Sequence, residues 1–212
     1  MEFENRNIPP SQTINEERSF AKYFLLSLVT LSLYSLWFAA TIGKDINTIA
    51  SAYDGKRTMN FMWLAVPLII LSMLMGGLLV WVVALTYDAL SMDDVFVSYA
   101  ADPFTLLIAS LLLMAVSVSV LVYLVSMYVW TYRVTKRIVN ELQRRQLSAA
   151  FAVRDFWIWY LAASFIFALP AEFVDGVASY LMMALSFIGP LVYVYKLITA
   201  INTLAKDYNS NG

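Results

Sequence analysis

Charged residues leave five long gaps in this chain, and the gaps predict its elements. None lies in 23–43, 58–87, 103–132, 156–171 or 176–195. A helix needs about 20 apolar residues to cross the roughly 30 Å hydrocarbon core of a bilayer, at about 1.5 Å per residue. Four gaps reach that length; the one that starts at Phe156 is shorter and meets Pro170. The pattern predicts an all-α fold, a polytopic helical membrane bundle of about five membrane segments.

Beyond three of these segments the pattern turns amphipathic. Ile42, Ile46, Ile49 and Tyr53 fall at helical spacing, as do Val134, Ile138 and Leu142, and again Ile198, Ile201, Ala205 and Tyr208. These extensions carry a repeated phrase. Ile46-Asn47-Thr48-Ile49-Ala50-Ser51-Ala52-Tyr53-Asp54 returns as Ile201-Asn202-Thr203-Leu204-Ala205-Lys206-Asp207-Tyr208-Asn209, with a fainter copy at Val139-Asn140-Glu141-Leu142. Trp37 precedes Asn47 by the spacing that separates Trp130 from Asn140. The chain therefore reads as three repeated modules, 19–60, 61–150 and 151–212, behind a mobile tail at 1–18. An amide beside a buried stripe must find partners. Asn47, Asn140 and Asn202 are thus expected to form a structural polar cluster that fixes the register of the modules.

Single residues sharpen this outline. Asp54-Gly55 stops the first extension, and Pro67 predicts a kink in segment two. Gly76-Gly77 permits close helix approach, and Ser110, Ser117, Ser119 and Ser126 form rows that face a neighbouring helix. Asp102-Pro103 reads as a cap followed by the first helical residue. A turn over 170–176 closes a hairpin, and Gly189-Pro190 interrupts segment five, with Ser186 placed to compensate.

Composition agrees and narrows the chemistry. Of 212 residues, 61% are hydrophobic and only 14% charged, against about 45–50% and 25% in soluble domains. The net charge of −1 offers no basic field for nucleic acid. With no Cys and no His, the chain lacks disulfides, thiolate chemistry, imidazole ligands and a histidine base. Asp88, Asp93, Asp94 and Asp102 share one connector, but without the spacing or the glycine of an EF-hand loop. No catalytic, cofactor-binding or metal-binding residue is expected, and no enzyme.

Lys and Arg crowd the loops 43–57 and 133–155 and are absent from 88–102 and 171–175. By the positive-inside rule all three copies of the phrase, and the C-terminus, face the cytoplasm. Five spans place the N-terminus outside; if segment one bends at Ser32 and re-enters, it lies inside and three hairpins open to the cytoplasm. Arg133, Lys136, Arg137, Arg144 and Arg145 are candidate contacts for anionic lipid. They serve equally to fix topology during insertion.

Four stretches resemble the bacterial membrane-protein family called domain of unknown function 4234. They are Leu28-Val29-Thr30-Leu31-Ser32-Leu33-Tyr34; Lys44-Asp45-Ile46-Asn47 leading to Tyr53-Asp54-Gly55-Lys56-Arg57; Tyr132-Arg133-Val134 through Asn140-Glu141-Leu142 to Asp155-Phe156-Trp157; and Ile188-Gly189-Pro190 through Lys196 and Asn202 to Asp207-Tyr208-Asn209. Ser32 stands where that family usually has glycine, and 74–104 looks like an insertion. The resemblance implies a fold and a bacterial cytoplasmic-membrane location. It implies no activity.

Two function classes fit. One is a non-catalytic membrane module that packs with itself, as a homo-oligomer, or with partner membrane proteins in lipid. The other is a small passive transporter or channel. Apolar windows without ionisable side chains other than tyrosine argue against ion-coupled transport.

Overall fold

The computed structural model describes residues 13–30, 33–54, 60–62, 65–66, 69–70, 73–74, 76–78, 80, 103–171 and 173–211. Among them the protein is all-helical, with no strand. Its helices are α1 (Phe20–Val29), α2 (Leu33–Asp54) and α3 (Pro103–Arg144), then a single turn (Val153–Asp155) that runs into a π-helical segment (Phe156–Ala162). After these come α4 (Ala163–Ala171), α5 (Val177–Ser186) and α6 (Ile188–Asn211). The chain divides into two compact units, one of Met1–Asn60 with Trp130–Gly212, the other Phe61–Val129.

The first unit opens with a helical hairpin rather than one long segment. Thr30 makes the turn. Its hydroxyl donates to the Leu26 carbonyl at 2.7 Å and accepts from the Tyr34 amide at 2.9 Å, so it closes α1 and caps α2 together. Across the hairpin the Tyr23 ring lies 4.7 Å from that of Phe38 and 6.3 Å from that of Tyr34. The window 23–43 had the apolar length of a single span; a hydroxyl that satisfies both free helix ends divides it.

The end of α3 is a left-handed cap. Gln146 has φ 55°, Gln146 N–H reaches Gln143 O at 3.1 Å, and Leu147 N–H reaches Leu142 O at 2.9 Å. The third hairpin forms where the turn residues predicted it, with Gly176 at φ 72° and α4 packed on α5. The helix breaks at Phe187, just before Gly189-Pro190. Ser186 donates to the Met183 carbonyl at 2.6 Å. Gly189 is the point of closest approach: an added Cβ would lie 2.4 Å from the Trp159 carbonyl oxygen and 2.5 Å from the Ala163 Cβ. The π-helical segment and α6 touch there backbone to backbone.

Burial in this unit is inverted with respect to charge. Most of the buried residues lie on the amphipathic extensions: Ile42, Ile46, Ile49 and Ala50 on α2; Val134, Ile138 and Leu142 on α3; Ile198, Ile201, Ala205 and Tyr208 on α6. Phe38, Trp130, Phe156 and Tyr193 carry the core into the uncharged stretches, which are otherwise largely open, with Leu28 65%, Ile166 63% and Tyr180 74% exposed.

The second unit contains helical residues of segment two and the first part of α3, which starts at Pro103 as expected. Added Cβ atoms at Gly76 and Gly77 meet nothing within 4 Å, so the close approach expected there is not made among the described residues. Ser110 and Ser119 turn back to helix carbonyls at Leu107 and Ala115. The kink at Pro67, the stop at Gly55, the cap at Asp102 and the acidic connector lie outside the described residues.

Candidate functional site

The polar groups of the first unit gather where the extensions pack. Thr135 and Tyr193, both buried, share a hydroxyl–hydroxyl hydrogen bond of 2.5 Å between α3 and α6. Just past the end of α3, Arg145 donates to the Asp207 carboxylate on α6 at 2.7 Å, and its Nε lies 3.7 Å from Glu141. Arg137 donates to the Asn47 oxygen at 3.5 Å, linking α3 to α2. Asp155, buried, takes Lys196 at 2.7 Å on one oxygen and the Ala152 amide at 2.7 Å on the other. That carboxylate thereby ties the start of the π-helical segment to α6.

A second group binds the chain before α1. Residues 13–19 have no helix or strand and lie against α6. Asn202 accepts from the Arg18 amide at 3.2 Å and donates to the Arg18 carbonyl at 2.9 Å. Asn209 does the same for Ile14, at 3.0 and 2.7 Å. The Ile14 side chain is buried, and the Arg18 guanidinium pairs with Asp45 of α2. Burial pushes the Asp45 carboxyl above its ordinary value, against the pull of Arg18. Burial likewise lowers the Arg18 guanidinium, against the pull of Asp45. Withdrawing both charges from water thus outweighs their attraction.

These bonds redistribute the residues singled out in the sequence. Asn47, Asn140 and Asn202 do not gather as one cluster: Asn47 meets Arg137, Asn202 holds the backbone of Arg18, and Asn140 is exposed. The reason is helical phase. Each Asn follows a buried residue (Ile46, Val139 or Ile201) and so sits at the edge of its stripe, aimed past its neighbours. Nor are 13–18 a mobile tail. Asn209, seven residues after Asn202 and so on the same face, was the available signal for that docking. The five basic residues divide: Arg133 and Lys136 are exposed, Arg144 lies 3.8 Å from Glu141, and Arg137 and Arg145 bond to protein groups.

Two recesses adjoin the unit's helices, one of about 310 Å³ beside residues 16–20 and α6, one of about 390 Å³ lined by Tyr23, Phe24, Ser27, Pro190 and Leu191. Among the described residues no three carboxylates converge as metal ligands.

Among the described residues the protein is all-helical, and two helical stretches, Met114–Arg144 within α3 and Val177–Asn211 across α5 and α6, are long and apolar enough to cross a membrane. Residues 18–89 match the family model described as Domain of unknown function (DUF4234), so the resemblance read in the first two stretches holds there. The match begins at Arg18, passes through the Thr30 turn and Asp45, and runs into the stretch taken as an insertion. The later stretches, 132–159 and 188–209, lie beyond it. No curated protein and no solved structure matches the chain.

Proposed function

We propose that this is an integral membrane protein of the bacterial cytoplasmic membrane, a non-catalytic helical module that packs with itself or with partner membrane proteins. One observation carries the reading. In the most apolar 18-residue stretch of each of the two long helical stretches only 11% of the residues are buried, whereas the core helix of a soluble protein would be mostly covered. Lipid or a partner helix must take that surface.

The short α1 bears on topology. Its 10 residues extend about 15 Å, half a hydrocarbon core. With Ile14 beside Asn209, the N-terminal segment and the end of α6 share one face. This supports three hairpins that open to the cytoplasm, each feeding one buried extension, over five spans with the N-terminus outside. Arg133 and Lys136 then face the anionic leaflet.

Single cysteines at Thr13→Cys, Gln143→Cys and Ser91→Cys test this with an impermeant reagent on intact cells. Only Ser91→Cys is expected to label. Labelling of Thr13→Cys alongside it would restore the five-span arrangement, and equal labelling of all three would refute the orientation. Native mass spectrometry of the protein extracted with its membrane tests the packing role; monomer carrying lipid alone would remove it.

A further inference from the structure

We infer that Asn202 and Asn209 form a peptide-binding site on α6, specific for an extended backbone and occupied in cis by residues 14–18. Each amide bonds both the N–H and the C=O of one residue, Arg18 or Ile14, and Asn209 also donates to the Glu16 carboxylate at 3.0 Å. The N–H and C=O pair is the bond pattern one strand offers another, supplied by side chains. The spacings are close, and the segment is drawn in where the Asn15 side chain accepts from the Glu17 amide at 3.0 Å. Asn residues seven apart on a helix stand about 10.5 Å apart along its axis, and residues four apart in an extended chain are about 13 Å apart. The ligand runs antiparallel to the helix, because Ile14 meets Asn209 while Arg18 meets Asn202.

The two gripped residues also supply the side-chain contacts. Ile14 is buried, and Arg18 reaches the Asp45 carboxylate on α2. Between them Asn15, Glu16 and Glu17 are exposed. The site therefore takes an apolar residue followed, four positions later, by arginine, with a side-chain acceptor at the position of Glu16. The segment carries no helical or ladder bond of its own, so it leaves without unwinding an element. It is a bound ligand that happens to be tethered.

Two measurements test this on the full chain. In the wild-type protein, amide exchange at Ile14 and Arg18 is expected to be about tenfold slower than at Asn15 and Glu16; uniform exchange over 13–19 would overturn the site. In the second, Ile14→Pro with Arg18→Pro removes both gripped N–H groups and vacates the site. A synthetic peptide of residues 12–20 is expected to bind this variant about tenfold more tightly than wild type, whose tethered segment competes. Alanine at the peptide's Glu17 should leave binding within about threefold, and N-methylation at its Ile14 and Arg18 should abolish it. Equal binding of the N-methylated peptide, or no binding by a variant that melts as wild type does, overturns the proposal. If the proline variant does not fold, the exchange pattern alone decides.

Discussion

Arg145 and Arg144 are neighbours with different work. Arg145 is 8% exposed and holds Asp207, while Arg144 is 48% exposed at the edge of Glu141. Removing one partner of a buried pair leaves the other charge without its counter-ion. Arg145→Gln is expected to cost roughly 2–4 kcal/mol and Arg144→Gln less than about 0.5 kcal/mol. Thermal unfolding of the two variants in one detergent measures the difference. Asp45 gives a pH signature. Its native pKa lies above its ordinary value, so between the two the native state holds more protons than the unfolded chain. Stability from this group is present on the acid side and is lost as pH rises through the native pKa. Melting curves against pH, wild type minus Asp45→Asn, should fall over that window; a rise would mean that the pull of Arg18 wins. None of these pairings was legible in the sequence. It shows which residues are polar, but Arg18 and Asp45, or Asp155 and Lys196, become partners only when distant helices are brought together.

The helices themselves were more legible, and the misses have one cause. The amphipathic stripes announced which faces would be buried, Pro103 marked a helix start, and Gly176 and Gly189-Pro190 marked a turn and a break. A bend in segment one stood only as an alternative, at Ser32, because hydropathy sees Thr30 as one mild interruption in an apolar run. The bonds it makes decide the matter. Thr30→Val is expected to lose both and destabilise the hairpin by about 1–2 kcal/mol, with Thr30→Ser close to wild type. Circular dichroism melts of the pair would show it; equal losses would mean that the hydroxyl is idle. The π-helical segment left no mark in periodicity, though its contact did, in Gly189. Gly189→Ala drives a methyl into the Trp159 carbonyl and should cost about 1–3 kcal/mol, read as a lowered Tm.

The cohesive part of the first unit lies mainly on the extensions of α2, α3 and α6, joined by Trp130 and Tyr193 where the charge-free stretches run into them, and long apolar surfaces stay exposed. Tryptophan reports on this directly. Trp37 is 58% exposed and Trp130 only 7%. In bilayers with brominated acyl chains, a variant that retains Trp37 alone should be quenched strongly, and one that retains Trp130 alone weakly. Equal quenching would show that the extensions, too, are bathed in lipid. The sequence foretold the stripes. It did not foretell that the charged ends would hold the molecule together, because a hydropathy plot weighs residues singly and cohesion is made of pairs.

The grip of Asn209 on Ile14 spans 195 positions of the chain. A ribosome delivers Ile14 long before Asn209 exists. Throughout most of synthesis the N-terminal segment has nowhere to dock, and only when α6 is complete does the beginning of the chain find its place. A nascent chain stalled before Asn202 would keep that segment loose, open to any protease that samples extended backbone. Closure of the segment is thus a record, written ahead of α1, that α6 has been made and folded.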